Sequence, residues 1–317
     1  ASSEKFWEPI SKYINHFKIR GSYGLVGSDA FASGAPHFLY QNNIGIGSAH
    51  NFWTGLPTSE ISKKGPGFYV LAVQDAGWEH VKKFDIGFDM MLFNQLNITF
   101  DYFHDKRERI LMSRASWPSM LGYWGSKPWS NIGEVENQGF ELSLNWTKQF
   151  GKDLTLDLRG NFTYNQNEYK YVDEPSYPYV WQTNTGKPLN TVKGYIAEGL
   201  FTSEEEIANS PDQSQLGANI MPGDIKYRDI NGDGQITIED QVMISSYDWH
   251  PRIQYGFGLN IVYKNFDLGV FFNGSAKRKT MINSGIAPFL SGGGDGEEHG
   301  VDVVRRVEVA VGLIGQQ

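Results

Sequence analysis

The chain has 317 residues, of which 40% are apolar and 14% aromatic, with 36 Gly, no Cys and a formal net charge of −8. That content of aromatic and apolar residues excludes a disordered chain, the acidic balance excludes a phosphate-binding basic face and hence a nucleic-acid partner, and the lack of Cys excludes a disulfide scaffold, thiolate catalysis and a Cys-ligated zinc site. No apolar run approaches the roughly 18 residues of a membrane-crossing helix, whereas a transmembrane β-barrel, which alternates lipid-facing and lumen-facing residues, stays compatible with the mean hydropathy of −0.42.

The first expected element is a short helix over residues 3–15, which would place Phe6, Trp7, Ile10 and Ile14 on one face. A strand follows over Phe17–Val26, with Phe17, Ile19, Tyr23 and Leu25 set against Lys18, Arg20 and Ser22. After a long connection over Ser28–Glu79, Phe84, Ile86, Phe88, Met90 and Leu92 alternate with Asp85, Gly87 and Asp89. The two-residue turn Asn94-Gln95 leads into Leu96, Ile98, Phe100 and Tyr102 against Asn97, Thr99 and Asp101. A second long connection, His104–Gln138, precedes Phe140, Leu142, Leu144 and Trp146. A tight turn at 149–153 joins these to Leu154, Leu156, Leu158, Phe162 and Tyr164. The third long connection, Gln166–Arg252, contains a Ser203-Glu-Glu-Glu206 helix start with capping-box spacing. Two more strands, Ile253–Tyr263 and Phe266–Phe272, flank the turn Lys264-Asn265. Strict alternation over such lengths means one apolar and one polar face per strand.

Tight turns therefore alternate with long connections, the asymmetry of an outer-membrane barrel with short periplasmic turns and long extracellular loops. Phe84, Tyr102, Trp146, Tyr164 and Tyr263 lie at the ends of the apolar rows, where interfacial aromatic girdles would sit. The fold class expected is all-β, an antiparallel transmembrane β-barrel portion of about seven to nine strands with long extracellular loops. A β-sandwich core is the alternative for the same pattern.

Two motifs bear on chemistry. Asp229-Ile-Asn231-Gly-Asp233-Gly234-Gln235 places oxygen ligands at the first, third and fifth positions of a loop, a glycine at the sixth, a usable carbonyl on Gln235 at the seventh and Asp240 at the twelfth. That is the spacing of a Ca2+ loop, with Asp240 shorter than the usual bidentate Glu. A bound ion would be structural; an Asx-rich turn without one has the same spacing. The second motif is the aromatic run Trp117, Tyr123, Trp124 and Trp129, candidates to stack on sugar rings or anchor a partner. Phe52-Trp53 and Tyr177-Pro-Tyr179-Val-Trp181 repeat the theme in the other long connections. Catalysis finds little support: Glu204, Glu205 and Glu206 diverge on one helix rather than face across a substrate, and the seven His show no paired-ligand spacing. The sequons at Asn97, Asn145 and Asn161 follow from Asn-x-Thr falling on polar strand faces.

Several segments together resemble the SusC/RagA-like family of TonB-dependent transporters of the Bacteroidetes outer membrane. The resemblance rests on Lys18-Ile-Arg-Gly-Ser-Tyr-Gly24, Trp78-Glu79 leading into Asp85-Ile-Gly-Phe-Asp89, Asp101-Tyr-Phe103, Asn131–Leu142, Gly194–Phe201, Pro222–Asp229 and Pro251–Gly256. It implies an outer-membrane importer of oligosaccharides or peptides, not an enzyme, energised by TonB and capped by a SusD-like lipoprotein. It spans residues 1–285, read as a partial receptor barrel; residues 286–317 have no aromatics after His299 and read as a tail foreign to the family, so a fragment is expected. A secreted, calcium-stabilised β-sandwich that binds glycans is the competing reading.

Overall fold

The computed structural model describes residues 7–29, 35, 37–54, 61–73, 75–118, 127–217, 219–247, 250–278, 280–282, 299–301 and 306–315. Strand β1 (Ile14–Ser28) begins where a helix was expected. Residues 7–13 form only hydrogen-bonded turns, Ile10 N donating to Trp7 O at 2.9 Å and Tyr13 N to Ile10 O at 2.9 Å. So short a helix is marginal on its own, and from Ile14 the chain instead gains a full ladder with β4 (Glu79–Leu92), Ser22 facing Asp85 and Phe17 facing Met90.

The connection between them carries a hairpin, β2 (Asn43–Thr54) with β3 (Ile61–Val70). Strands β5 (Leu96–Ser113), β6 (Trp129–Phe150) and β7 (Leu154–Tyr171) follow. In the stretch from Tyr171 to Ile253, β8 (Val192–Gly194) pairs with β11 (Val242–Ser245), and β9 (Ala197–Leu200) with β10 (Ile225–Tyr227). Strands β12 (Ile253–Tyr263) and β13 (Phe266–Ala276) return to the main sheet, followed by the short pair β14 (Thr280–Ile282) and β15 (His299–Val301) and by β16 (Arg306–Gly315). The eight-stranded sheet has the order β1-β4-β5-β6-β7-β12-β13-β16, antiparallel throughout. Its two outermost strands, β1 and β16, do not pair with each other, so the sheet is an open portion of a barrel wall.

Two expectations about length need correction. The connection expected over His104–Gln138 is reduced to residues 114–128, because β5 and β6 run on well past the apolar rows. Their extensions lack alternation, being full of charge, but the charges pair across the strands. Lys82 meets Glu108 at 2.7 Å, Lys106 meets Glu134 at 3.5 Å, Lys170 meets Glu136 at 2.7 Å, and His104 meets Glu136, while Lys106 also meets Glu108 along its own strand at 2.8 Å. Like charges facing across a ladder are unfavourable, and two such pairs, Lys82 opposite Lys106 and Glu136 opposite Glu168, are each bridged by a diagonal counter-charge, Glu108 and Lys170. The turn expected at Asn94-Gln95 is three residues long, with Phe93 and Asn94 both at φ +54°.

The two faces of the sheet differ as the alternation requires. On the apolar face an aromatic row crosses five strands: Phe17–Phe88 at 6.1 Å, Phe88–Phe100 at 5.6 Å, Phe100–Phe140 at 6.1 Å and Phe140–Phe162 at 5.7 Å between ring centroids. Such cross-strand pairs are worth about 0.5–1.5 kcal/mol each beyond their buried area. Outside the row, apolar side chains stand open, Ile19 at 66% and Phe257 at 52% exposed. Among the described residues no second sheet covers this face, which is not how a sandwich buries its core. On the polar face Arg20 spans two neighbouring strands, its Nε 3.0 Å from Asp89 and an Nη 2.9 Å from Asp101. Among the described residues the largest fully buried side chains lie elsewhere, Ile236 and Asp240 in the β10–β11 connection.

Candidate functional site

All three long connections leave the sheet at one end, and the short turns at 93–95, 151–153 and 264–265 close the other. The long-loop end is the candidate site. Its aromatic loop is tied down by Asp173, whose side chain is 3% exposed. The Asp173 carboxylate accepts from Ser116 N at 2.9 Å and Ser116 Oγ at 2.9 Å and meets Arg114 Nε at 3.2 Å. Burial pushes this carboxyl up, but the Ser116 hydrogen bonds and the Arg114 charge outweigh it and hold the pKa below the usual value. The segment bearing Trp117 is thereby stitched to the chain that leaves β7.

Of the four aromatics expected to bind substrate, Trp117 is half-buried beside this junction. Trp129 is the first residue of β6 and packs on the small buried cluster of Ala35, Leu39, Val73 and Leu111. Tyr123 and Trp124 lie outside the described residues, as does the Phe52 side chain; Trp53 is 65% exposed. In the third connection Tyr179 and Trp181 stack at 4.5 Å, and Trp181 Nε1 donates to Glu239 O at 2.8 Å.

Sequence reasoning missed the residues that hold this aromatic pair. Lys187 Nζ donates to Trp181 O and Lys193 Nζ to Gln182 O, capping the single 3-10 turn Val180–Gln182. Burial lowers the pKa of both lysines, and the neighbouring Lys193 charge lowers Lys187 further. Glu174 accepts from Asn184 N at 2.8 Å and Thr185 N at 3.1 Å. No periodicity marks Asp173, Glu174, Lys187 or Lys193; only Asp173 and Glu174 carried a signal, a charged residue just past the end of β7. The helix start was legible: α1 (Glu204–Ala208) is capped by Ser203, which accepts from Glu206 N at 3.2 Å. The Glu206 carboxylate reaches back to Thr202 N at 3.0 Å, one residue before the cap.

The acidic loop is one compact turn. Asp229 accepts from Gly232 N at 2.6 Å and Gly234 N at 2.8 Å, Asn231 Oδ1 from Asp233 N at 2.9 Å, and Asp233 Oδ1 from Gln235 N at 2.8 Å. Gly232 at φ +78° and Gly234 at φ +82° adopt the left-handed backbone that favours glycine. Asp240 is fully buried; its Oδ1 accepts from Ile230 N at 2.8 Å and its Oδ2 from Thr237 N at 2.8 Å. The donors at the first five positions are the hard oxygens that Ca2+ takes. Asp240 instead spends its carboxylate on the backbone. Among the described residues no group of three or more His, Cys, Asp or Glu side chains is placed to hold a metal ion.

The TonB dependent receptor-like β-barrel family matches residues 10–284. The chain belongs to this family. TonB-dependent receptor P3 of Formosa agariphila is 32% identical over 279 residues, 84% of this chain and 26% of that protein. TonB-dependent receptor SusC of Bacteroides thetaiotaomicron is 30% identical over 148 residues, 43% of this chain and 13% of that protein. The RagAB peptide importer in its open-open state superposes with a TM-score of 0.59 at 17% identity, covering 86% of this chain and 27% of that one, which shows a shared fold. The chain spans about a quarter of the length of the Formosa relatives it matches.

This is a SusC/RagA-like family of outer-membrane transporters and receptors rather than enzymes. The apolar face of the sheet is therefore the lipid-facing one and the polar face lines the lumen, with the long connections on the extracellular side.

Proposed function

We propose that the chain forms part of the barrel wall of an importer that carries oligosaccharides, or peptides, across the outer membrane. In this reading TonB energises the transporter through a part outside this chain, and a SusD-like lipoprotein covers the extracellular mouth. The observation that carries it is a lumenal polar wall topped at one end only by aromatic loops, on a sheet of transporter fold. RagAB is itself described as a peptide importer, and it shares that fold. The test is uptake of fluorescent oligosaccharides and peptides by cells with and without the encoding gene. Loss of uptake of one class is expected; unchanged uptake of both would refute the reading.

Within it, Trp117, Tyr123 and Trp124 make substrate contact while Trp129, already packed, fixes the loop's stem. Trp124→Ala in the intact transporter should weaken substrate binding by about 1–3 kcal/mol, the loss of one buried aromatic contact. Equal affinity by titration calorimetry removes Trp124 from the site.

A structural Ca2+ belongs to the same proposal, held by Asp229, Asn231, Asp233 and the Gln235 carbonyl, with Asp240 closing the loop by accepting hydrogen bonds from backbone N–H groups. Its support is the ligand spacing alone. Calorimetric titration with CaCl2 should give binding heat that vanishes in the Asp229→Ala variant. No Ca2+-dependent heat would leave the backbone hydrogen bonds as the loop's whole support.

A further inference from the structure

Two adjoining cavities of 450 and 410 Å³ open on the lumenal face and share Asn161, Gly256 and Phe271. Their shape follows from register. Asn161 on β7 faces Gly256 on β12, which faces Asn273 on β13. With strands about 4.8 Å apart, two carboxamides thus stand on either side of a strand position that has no side chain. A Cβ on Gly256 would lie 2.6 Å from Asn161 Oδ1 and 3.0 Å from Phe271 Cζ, so only glycine keeps this floor open. One step toward the short turns, Phe271 lies across Gly258 to meet the Arg159 guanidinium at 5.5 Å, forming an aromatic wall with a cation against it. One step toward the mouth stands Gln254. Asn161, Asn273, Gln254 and Arg159 are all exposed to the lumen.

This chemistry selects among ligands. Carboxamides offer donors and acceptors together, the complement of hydroxyl groups that do the same, and a ring edge or face accepts the C–H side of a sugar. No carboxylate lines the trough, and Arg278 joins Arg159 as a second cation on its rim. An extended peptide would seek a free strand edge for its backbone, and β7, β12 and β13 are each hydrogen-bonded on both sides. The geometry points to a lumenal subsite for one ring of an oligosaccharide, gripped by Asn161 and Asn273 and flanked by Phe271. It rests on the importer reading and places a station for the cargo on the wall itself, apart from the loops.

The experiment uses the intact transporter in detergent, with malto-, xylo- and laminarihexaose as probes for titration calorimetry. The double variant N161A/N273A removes two exposed side chains, so heat-modifiable migration should be retained. At least one hexasaccharide is expected to bind, and the double variant should bind it at least about tenfold more weakly, roughly one charge-free hydrogen-bond pair lost. Phe271→Leu should weaken it too. Equal affinity in both variants, with the unaltered transporter binding sugar, overturns the subsite and leaves the importer reading intact. Variants that lose thermal stability but keep sugar affinity also overturn it, assigning the amides to a protein segment within the lumen. If the unaltered transporter binds none of the sugars but a peptide pool, the subsite and the sugar arm of the importer reading fall together.

Discussion

Asp240→Ala is expected to melt the acidic loop and the small strands it joins, while the barrel wall stays folded. Asp240 ends the 3-10 turn Ile238–Asp240, and its carboxylate reaches back to Thr237 N at 2.8 Å and across to Ile230 N at 2.8 Å and Asn231 N at 3.3 Å. One buried side chain thus ties the start of the loop to its end. Alanine would leave three backbone donors unpaired in a site the solvent does not reach, at about 1–3 kcal/mol each. A local loss of about 3–9 kcal/mol exceeds what most loop units hold in reserve. Amide exchange in the intact transporter should show residues 225–245 losing protection, with β5, β6 and β7 unchanged. Retained protection across the loop would mean that the Asp229 and Asn231 hydrogen bonds suffice without Asp240.

Gly139→Ala should damage the wall itself. Gly139 sits on β6 between Phe103 on β5 and Asn165 on β7. A Cβ there would stand 2.1 Å from the Tyr164 carbonyl oxygen and 2.6 Å from Phe103 Cζ. The ring could turn away; the carbonyl is part of the neighbouring strand and could move only by opening the ladder. Overpacking of this kind costs about 1–3 kcal/mol and more where backbone must shift, so about 3 kcal/mol is expected. Gly160→Ala supplies the control on the same sheet, since its Cβ would meet only the Gly256 carbonyl oxygen at 3.8 Å. Urea-unfolding midpoints of the transporter in vesicles should fall for Gly139→Ala and stay put for Gly160→Ala. Equal midpoints would show that the β6–β7 ladder yields without cost.

The strands with apolar rows were readable because alternation is local: Phe84 to Leu92 and Leu96 to Tyr102 each announce one apolar face within a few residues. The charged extensions of β5 and β6 were not, since Lys106 and Glu108 look like solvated loop until Lys82 and Glu134 reach them from the neighbouring strands. The loop site divides the same way. The Ser203 cap and the Asp229 turn depend on neighbours in sequence and were legible, whereas the Asp173 pin needs Ser116, 57 residues away.

From the sequence alone came the alternation, the tight turns at one end and the long connections at the other, and these already specify one wall of a membrane barrel, because side-chain period and turn length are properties of short stretches. Which charges neutralise one another, which aromatic loop is fastened down, and that Asn161 and Asn273 face each other across Gly256 were decided only by tertiary structure. Each of those depends on register between strands far apart in the chain, and a slip of one residue would turn every one of these side chains to the opposite face.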